Sequence, residues 1–256
     1  MVEVTGDAMG EMMKAALAEV TGLGPRPTIG GRYPRATIEI VERDDGFVNG
    51  APATRYLSEP ADWFDFERRA LDRLTGRVLD VGAGAGRVAL ALQERGLDVT
   101  ALDVSPGAVE VAVARGVRQT VCATVDEHVA NGERYDSFGL FGNNLGLLES
   151  REQAPAFLAA LAALARPGAR IVGQGTDPYS TTDPAHLAYH ELNRARGRLA
   201  GQLHLRVRYR DLATPWFDYL ICSVEELAVL VAGTPWKLSD VDREDAPFYV
   251  ATLTLR

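Results

Sequence analysis

The segment Arg77-Val-Leu-Asp-Val-Gly-Ala-Gly-Ala-Gly-Arg87 constrains this chain more than any other. An apolar run of strand character enters three alternating glycines and leaves as the helical pattern VALALQERG, so the backbone must turn sharply from strand to helix. Glycine has no Cβ to obstruct a ligand and tolerates backbone angles closed to other residues, which gives Gly82, Gly84 and Gly86 a physical reason to alternate. Downstream the pattern is regular. Strands are predicted over residues 77–81, 98–103, 118–122, 135–141 and 170–174, with helices over 85–95, 106–115 and 151–165. Such alternation predicts right-handed crossovers and a mostly parallel sheet with helices on both faces.

The flanks read differently. Residues 7–20 carry an apolar helical face of Met9, Met12, Met13, Ala16, Leu17 and Val20, and residues 22–60 are rich in Gly and Pro around a strand at 37–41. Ser58 is expected to cap a helix that starts at Pro60 and stops at Gly76. After the fifth strand, residues 177–200 read as a loop and helix and 202–222 as two strands around the Thr214-Pro215 turn. Ser223, with Glu226 completing a capping box, starts a helix that stops at Gly233, and strands at 236–242 and 248–255 end the chain as an antiparallel hairpin. The expected architecture is α/β: a Rossmann-like, mostly parallel seven-stranded sheet with a terminal antiparallel hairpin and an inserted helix plus β-hairpin cap. The expected organisation is an N-terminal helix and cap segment over 1–60, and a cofactor-binding domain over 61–256 with an insertion at about 177–222.

Composition narrows the class. With 256 residues, 46% of them apolar and 24% charged, the chain is long enough for one core with elaborations and too apolar for a disordered protein. A net charge of −8 argues against a broad grip on nucleic acid and favours a small-molecule partner. The two cysteines, Cys122 and Cys222, form no CxxC pair, so neither a disulfide framework nor a zinc cluster is expected. Glu3, Asp7 and Glu11 stand where a secretory signal would be basic, and the apolar run from Ala154 to Ala165 is too short to span a membrane. A cytoplasmic protein with no membrane partner is the expectation.

Spacing separates the glycine turn from a dinucleotide fingerprint. A turn for NAD reads GxGxxG and seats a pyrophosphate on the helix N-terminus. Here the pattern is DxGxGxG, and an anionic Asp80 beside the turn suits a ligand whose facing end is cationic. This resembles the first motif of the class I methyltransferases that use S-adenosylmethionine (SAM), of small-molecule type. The resemblance covers about residues 55–175. It implies that Asp80 faces the methionyl amino end, often through water, that Gly82, Ala83, Gly84 and Gly86 form the backbone cradle, and that Asp103 accepts from the ribose hydroxyls, with Val104 beside it in the cofactor site; the plainer role for Asp103 is a cap on the next helix. It also implies adenine contacts from Thr124, Val125 and Asp126, with Asp126 preferred, although a solvated helix cap explains the same residues. Phe141 and Asn143 stand at the end of the fourth strand, where open α/β sheets bind ligands; Asn143 and Asn144 orient either the methionyl portion or the acceptor, or only stabilise the turn.

Methyl transfer from a sulfonium needs positioning above all, and a base only where the nucleophile must lose a proton. Candidates for catalysis are Asn143, Tyr179, His186 and His190, the histidines lying four residues apart on one helical face. Two histidines at that spacing also suit a metal or a plain surface role, and with no third ligand in view no metal is assigned. Arg206, Arg208 and Arg210 form a basic strand face that either is solvated or recognises an acceptor carboxylate or phosphate, and Tyr56, Trp63 and Phe64 either close over the cofactor or pack the core. Two other functions fit the same architecture: an NAD-dependent oxidoreductase, opposed by the spacing, and a SAM-binding protein without transfer activity.

Overall fold

A computed structural model describes residues 4–22, 28–29, 33–34, 36–243 and 247–256. The N-terminal part contains β1 (Val4–Thr5), α1 (Ala8–Thr21), the short pair β2 (Thr28–Ile29) and β3 (Tyr33–Pro34), β4 (Ile38–Arg43) and β5 (Val48–Pro52). Then come α2 (Asp65–Leu71), β6 (Arg77–Val81), α3 (Arg87–Glu94), β7 (Asp98–Asp103), α4 (Pro106–Arg115), β8 (Thr120–Cys122), α5 (Val125–Val129), β9 (Tyr135–Leu140), α6 (Ala154–Ala163) and β10 (Ala165–Thr176). The remainder is α7 (Pro184–Ala195), β11 (Gln202–Tyr209), β12 (Leu212–Ala213), β13 (Phe217–Leu220), α8 (Val224–Val231), β14 (Trp236–Arg243) and β15 (Phe248–Leu255).

The central sheet has seven strands in the order β14-β15-β10-β9-β6-β7-β8. Pairing from β10 through β8 is parallel, and β15 runs antiparallel to both of its neighbours. Alternation along each strand explains why both faces are covered. Leu79, Phe138, Ile171 and Leu253 enter a core against α5, α6 and α8, while Val78, Val172 and Val250 enter a second core against α2 and α3. No helix among the described residues is long and apolar enough to cross a membrane.

A second sheet joins the two flanks. Its order is β1-β12-β11-β4-β5, with β13 also on β11. The N-terminal hairpin β4–β5 therefore pairs with the strands that follow β10, through Leu205 opposite Arg43 and Val207 opposite Val41. The expected inserted helix and antiparallel strands are present as α7 and β11–β13, but β11 also pairs with β4, a contact between segments far apart in sequence that nothing in either announces. Two local expectations are corrected as well. The helix expected from Pro60 is a single 3₁₀ turn at Pro60–Asp62, then an extended Trp63-Phe64 pair, then α2. Trp63 donates to Ser58 Oγ at 3.1 Å, and that bond occupies the side chain expected to cap the helix. The turn expected at Thr214-Pro215 lies instead at Arg210, whose φ is 56°, and residues 214–216 only separate β12 from β13 on the same edge of β11.

Helix α1 lies across α4 through glycine. A Cβ on Gly10 would stand 2.6 Å from Gly107 Cα, so only glycine permits the approach. Asp7 fixes it electrostatically: it caps its own helix at Gly10 N (2.8 Å) and also accepts from Gly107 N (2.8 Å) and Ser105 Oγ (2.7 Å) at the start of α4. Met12, Met13 and Ala16 of α1 then pack with Ala53, Leu57, Ala85 and Val111. Arg115 ties the same layer together, donating to Ala85 O (2.7 Å) and Leu57 O (2.9 Å).

Candidate cofactor and acceptor site

The turn after β6 needs its three glycines for conformation before any ligand is considered. Gly82, Gly84 and Gly86 have φ of 67°, 55° and 76°, in the left-handed region that costs an L-residue about 1–2 kcal/mol. Neighbouring strands hold the turn on both sides. Gly82 N and Ala83 N donate to Leu102 O at the end of β7 (2.9 and 3.0 Å), while Asn144 Nδ2 donates to Val81 O (3.0 Å) and Gly82 O (2.9 Å) from the end of β9. Space is also restricted: a Cβ on Gly86 would stand 2.5 Å from Val117 Cγ2, so that glycine serves the packing of α4.

Asp103 ends β7 beside this turn. Its Oδ2 accepts from Gly84 N at 2.7 Å and its Oδ1 from Ser105 N at 2.9 Å. Burial raises its pKa, and the two backbone donors oppose the rise. Each carboxylate oxygen has a second lone pair, so two hydroxyls can still be accepted. Next to it Val104 is 65% exposed and Cys122 is exposed as well, an apolar ledge at the ends of β7 and β8.

Asp80 is not where the resemblance implied. Its carboxyl lies beneath the glycine turn, 2% exposed, and Oδ2 accepts from Ala89 N in the first turn of α3 at 3.1 Å. Burial pushes its pKa up to about 7, against the pull of Arg87 and the Ala89 N–H. A side chain at that point of a strand faces the helix layer, and the orphan N–H groups of α3 hold it there. Phe141 is corrected in the same sense: its ring is buried in the second core with Trp63, Val172 and Val250.

The remaining candidates divide. Asn143 has φ of 72°, its Oδ1 accepts from Thr176 Oγ1 (2.9 Å), and its carbonyl accepts from Tyr219 Oη (2.6 Å), so it joins β9, β10 and β13 at the crevice. Thr124 forms a capping box with Glu127, Val125 belongs to the first core, and Asp126 is exposed at the start of α5. His186 Nδ1 lies 3.1 Å from Arg43 Nη1, and His190 is buried beside Tyr179, whose phenol donates to Glu226 Oε1 at 2.6 Å. Burial lowers the His190 pKa. Among the described residues, none of these three makes a hydrogen bond or ring contact with the glycine turn, Asp103 or Asn143. Arg206 and Arg208 pair with Glu42, Arg206 lies over Trp216, and Arg210 over Tyr209. Phe64 stacks on Phe66, and Trp63 lies under Arg87, so of the three aromatics only Tyr56 approaches the glycines, 3.9 Å from a Cβ on Gly84. Among the described residues no group of three His, Cys, Asp or Glu is arranged to hold a metal ion.

Asp7, Glu39, Arg55 and Tyr219 belong to no motif. Each acts across a contact between distant segments, and single-sequence periodicity carries no signal for that.

Comparison with known proteins adds independent support. The methyltransferase-domain family model matches residues 78–168. The ubiquinone biosynthesis O-methyltransferase of Xanthomonas oryzae pv. oryzae is 33% identical over 112 residues, which are 42% of this chain and 46% of that protein; the chain thus spans about half the length of the curated relatives it matches. A SAM-dependent methyltransferase from Bacteroides fragilis, solved in complex with S-adenosyl-L-homocysteine, superposes with a TM-score of 0.76 at 26% identity, over 99% of this chain and 98% of that one. The 1,6-didemethyltoxoflavin-N1-methyltransferase of Burkholderia thailandensis has the same fold, with a TM-score of 0.51 at 22% identity over 75% and 78% of the two chains. The likeness to the Bacteroides protein extends over nearly the whole of both chains, and residues 78–168, from β6 into β10, match a methyltransferase domain, so the chain has the class I, Rossmann-like fold of the SAM-dependent methyltransferases.

Proposed function

We propose that this chain binds SAM in the crevice between the glycine turn, Asp103 and Asn143, and transfers its methyl group to a small-molecule O-, N- or C-nucleophile. The observation that carries the reading is the cradle itself: three glycines at positive φ beside a strand-end carboxylate with lone pairs to spare. When bound, SAM supplies an electrophilic methyl on a sulfonium. Gly82, Ala83 and Gly84 let the backbone approach it, Asp103 receives the ribose hydroxyls, and Val104 offers an apolar face to the adenine, with Thr124, Val125 and Asp126 around its rim. Asp80 acts through the turn by its charge and not by contact.

An acceptor of small size is favoured by the acidic chain, which lacks the basic surface that a nucleic-acid acceptor requires. Cytoplasmic residence accords with two free cysteines. Incubating the protein with S-adenosyl-[methyl-³H]methionine and a low-molecular-weight metabolite extract tests the reading. Label is expected in one or a few extract components, and an extract left unlabelled by a protein that binds S-adenosylhomocysteine refutes the transfer step.

A further inference from the structure

Strand β4 buries the wrong residue for a simple amphipathic strand. Ile38 is 39% exposed, whereas Glu39 is 2% exposed, so a carboxylate stands where an apolar side chain is expected. Taking a carboxylate out of water costs several kcal/mol unless it is paired and hydrogen-bonded. Here it is paired twice. The Tyr56 phenol donates to Glu39 Oε1 at 2.5 Å, the Arg55 guanidinium binds Oε2, and Arg55 Nη2 also reaches Tyr56 Oη at 3.3 Å.

The cluster overhangs the cofactor cradle. A Cβ on Gly84 would lie 3.9 Å from Tyr56 Cδ1 and 3.3 Å from Met13 Cε, which puts Tyr56 over the second glycine with Glu39 behind it. Tyr219 approaches from β13, held at Asn143 O, and the charges of Glu39 and Arg55 act on it. The two phenols therefore flank the space above the ends of β6 and β9. Tyr56 has committed its only proton to Glu39, so what it offers the crevice is a lone pair. Burial and the Glu39 charge raise its pKa, which keeps it a neutral phenol at neutral pH.

We propose that Tyr56 and Glu39 form the proton-accepting pair for the acceptor, which is then an O–H or N–H nucleophile and not one that attacks as a preformed anion. The proposal rests on the methyl-transfer reading. As the acceptor heteroatom bonds to the methyl carbon and the carbon–sulfur pair returns to sulfur, the acceptor proton passes to Tyr56 Oη, and the phenolic proton passes to the Glu39 carboxylate. One proton leaves the acceptor and one arrives on Glu39, so the transfer balances without a further reagent. Tyr56 is the catalytic residue and Glu39 the positioning residue behind it, with Arg55 and Tyr219 as the other charged or titratable groups facing the pair.

The test compares wild type, Tyr56→Phe, Glu39→Gln and the double variant. S-adenosylhomocysteine affinity is read by calorimetry, and single-turnover transfer is read from S-adenosyl-[methyl-³H]methionine to the extract component that wild type labels. Each single variant is expected to lose about 100-fold in rate while retaining its affinity, and the double variant to lose little more, because the pair works as one unit. Tyr56→Phe keeps the ring and its packing, so it decides the matter alone if Glu39→Gln does not fold. Transfer by Tyr56→Phe within about threefold of wild type overturns the proposal, and so does a rate lost only in proportion to affinity. An extract that wild type leaves unlabelled refutes the methyl-transfer reading, and the pair's role with it.

Discussion

Asp80→Asn separates the charge of this residue from its shape. Asparagine keeps the acceptor that Ala89 N–H needs, while the buried charge disappears. The folded pKa of about 7, against 3.8 for the unconstrained side chain, corresponds to a penalty of about 4 kcal/mol at and above pH 7, at about 1.4 kcal/mol per unit. The sign follows from proton uptake. Between pH 4 and pH 7 the folded chain holds a proton that the unfolded chain has released, so Asp80 lowers stability as pH rises through that window. The amide of the variant has nothing to titrate, and the advantage of Asp80→Asn should grow by up to about 3 kcal/mol between pH 5 and pH 8. For a chain of this size that is about 6–12 °C in Tm. The assay is urea or thermal unfolding of both proteins at the two pH values, without ligand. The same variant should bind SAM about tenfold more weakly, since an anion beneath a cationic ligand contributes about 1 kcal/mol or more. A stability difference that is the same at pH 5 and pH 8, together with unchanged SAM affinity, refutes the reasoning.

Three further outcomes follow from the geometry. Asp103→Ala should weaken S-adenosylhomocysteine about 30-fold by calorimetry, the loss of about 2 kcal/mol of charge-assisted bonds, with the fold retained by circular dichroism. Gly10→Ala should push α1 off α4, because the new methyl meets Gly107 Cα at 2.6 Å; faster proteolysis of the N-terminal segment and weaker cofactor binding report it together. Asn193→Ala should cost about 2 kcal/mol in urea unfolding, since its buried Nδ2 donates to Ala200 O (2.9 Å) and Gln202 O (2.8 Å) and so holds α7 to the start of β11.

The central sheet is legible in the sequence because its signal is local. The parallel strands there are short apolar runs alternating with helical periods, and β6, β7 and β15 begin and end where the pattern predicts. The glycine turn is legible for the same reason, since positive φ at Gly82, Gly84 and Gly86 shows in the residue type itself. The second sheet is not, because β4 and β11 are ordinary alternating strands whose partners lie across β6–β10. Asp80 is buried against the first turn of α3, and a motif gives the residue but not the direction of its side chain. The histidines show the same limit: spacing puts His186 and His190 on one face of α7, but only the fold shows that His186 meets Arg43 and His190 meets Tyr179. Glu39 escapes because an acidic residue on a short strand reads as solvated, and only the fold shows it buried over the glycines.

Whether the cradle of Gly82, Gly84 and Asp103 receives SAM is decided by calorimetric titration of wild type and Asp103→Ala with S-adenosylhomocysteine and, separately, with NAD. Saturable one-to-one binding of S-adenosylhomocysteine to wild type, strongly weakened in the variant, is expected, with no binding of NAD to either protein. Binding of NAD with none of S-adenosylhomocysteine, or equal S-adenosylhomocysteine affinity in the two proteins, rules out SAM at this cradle.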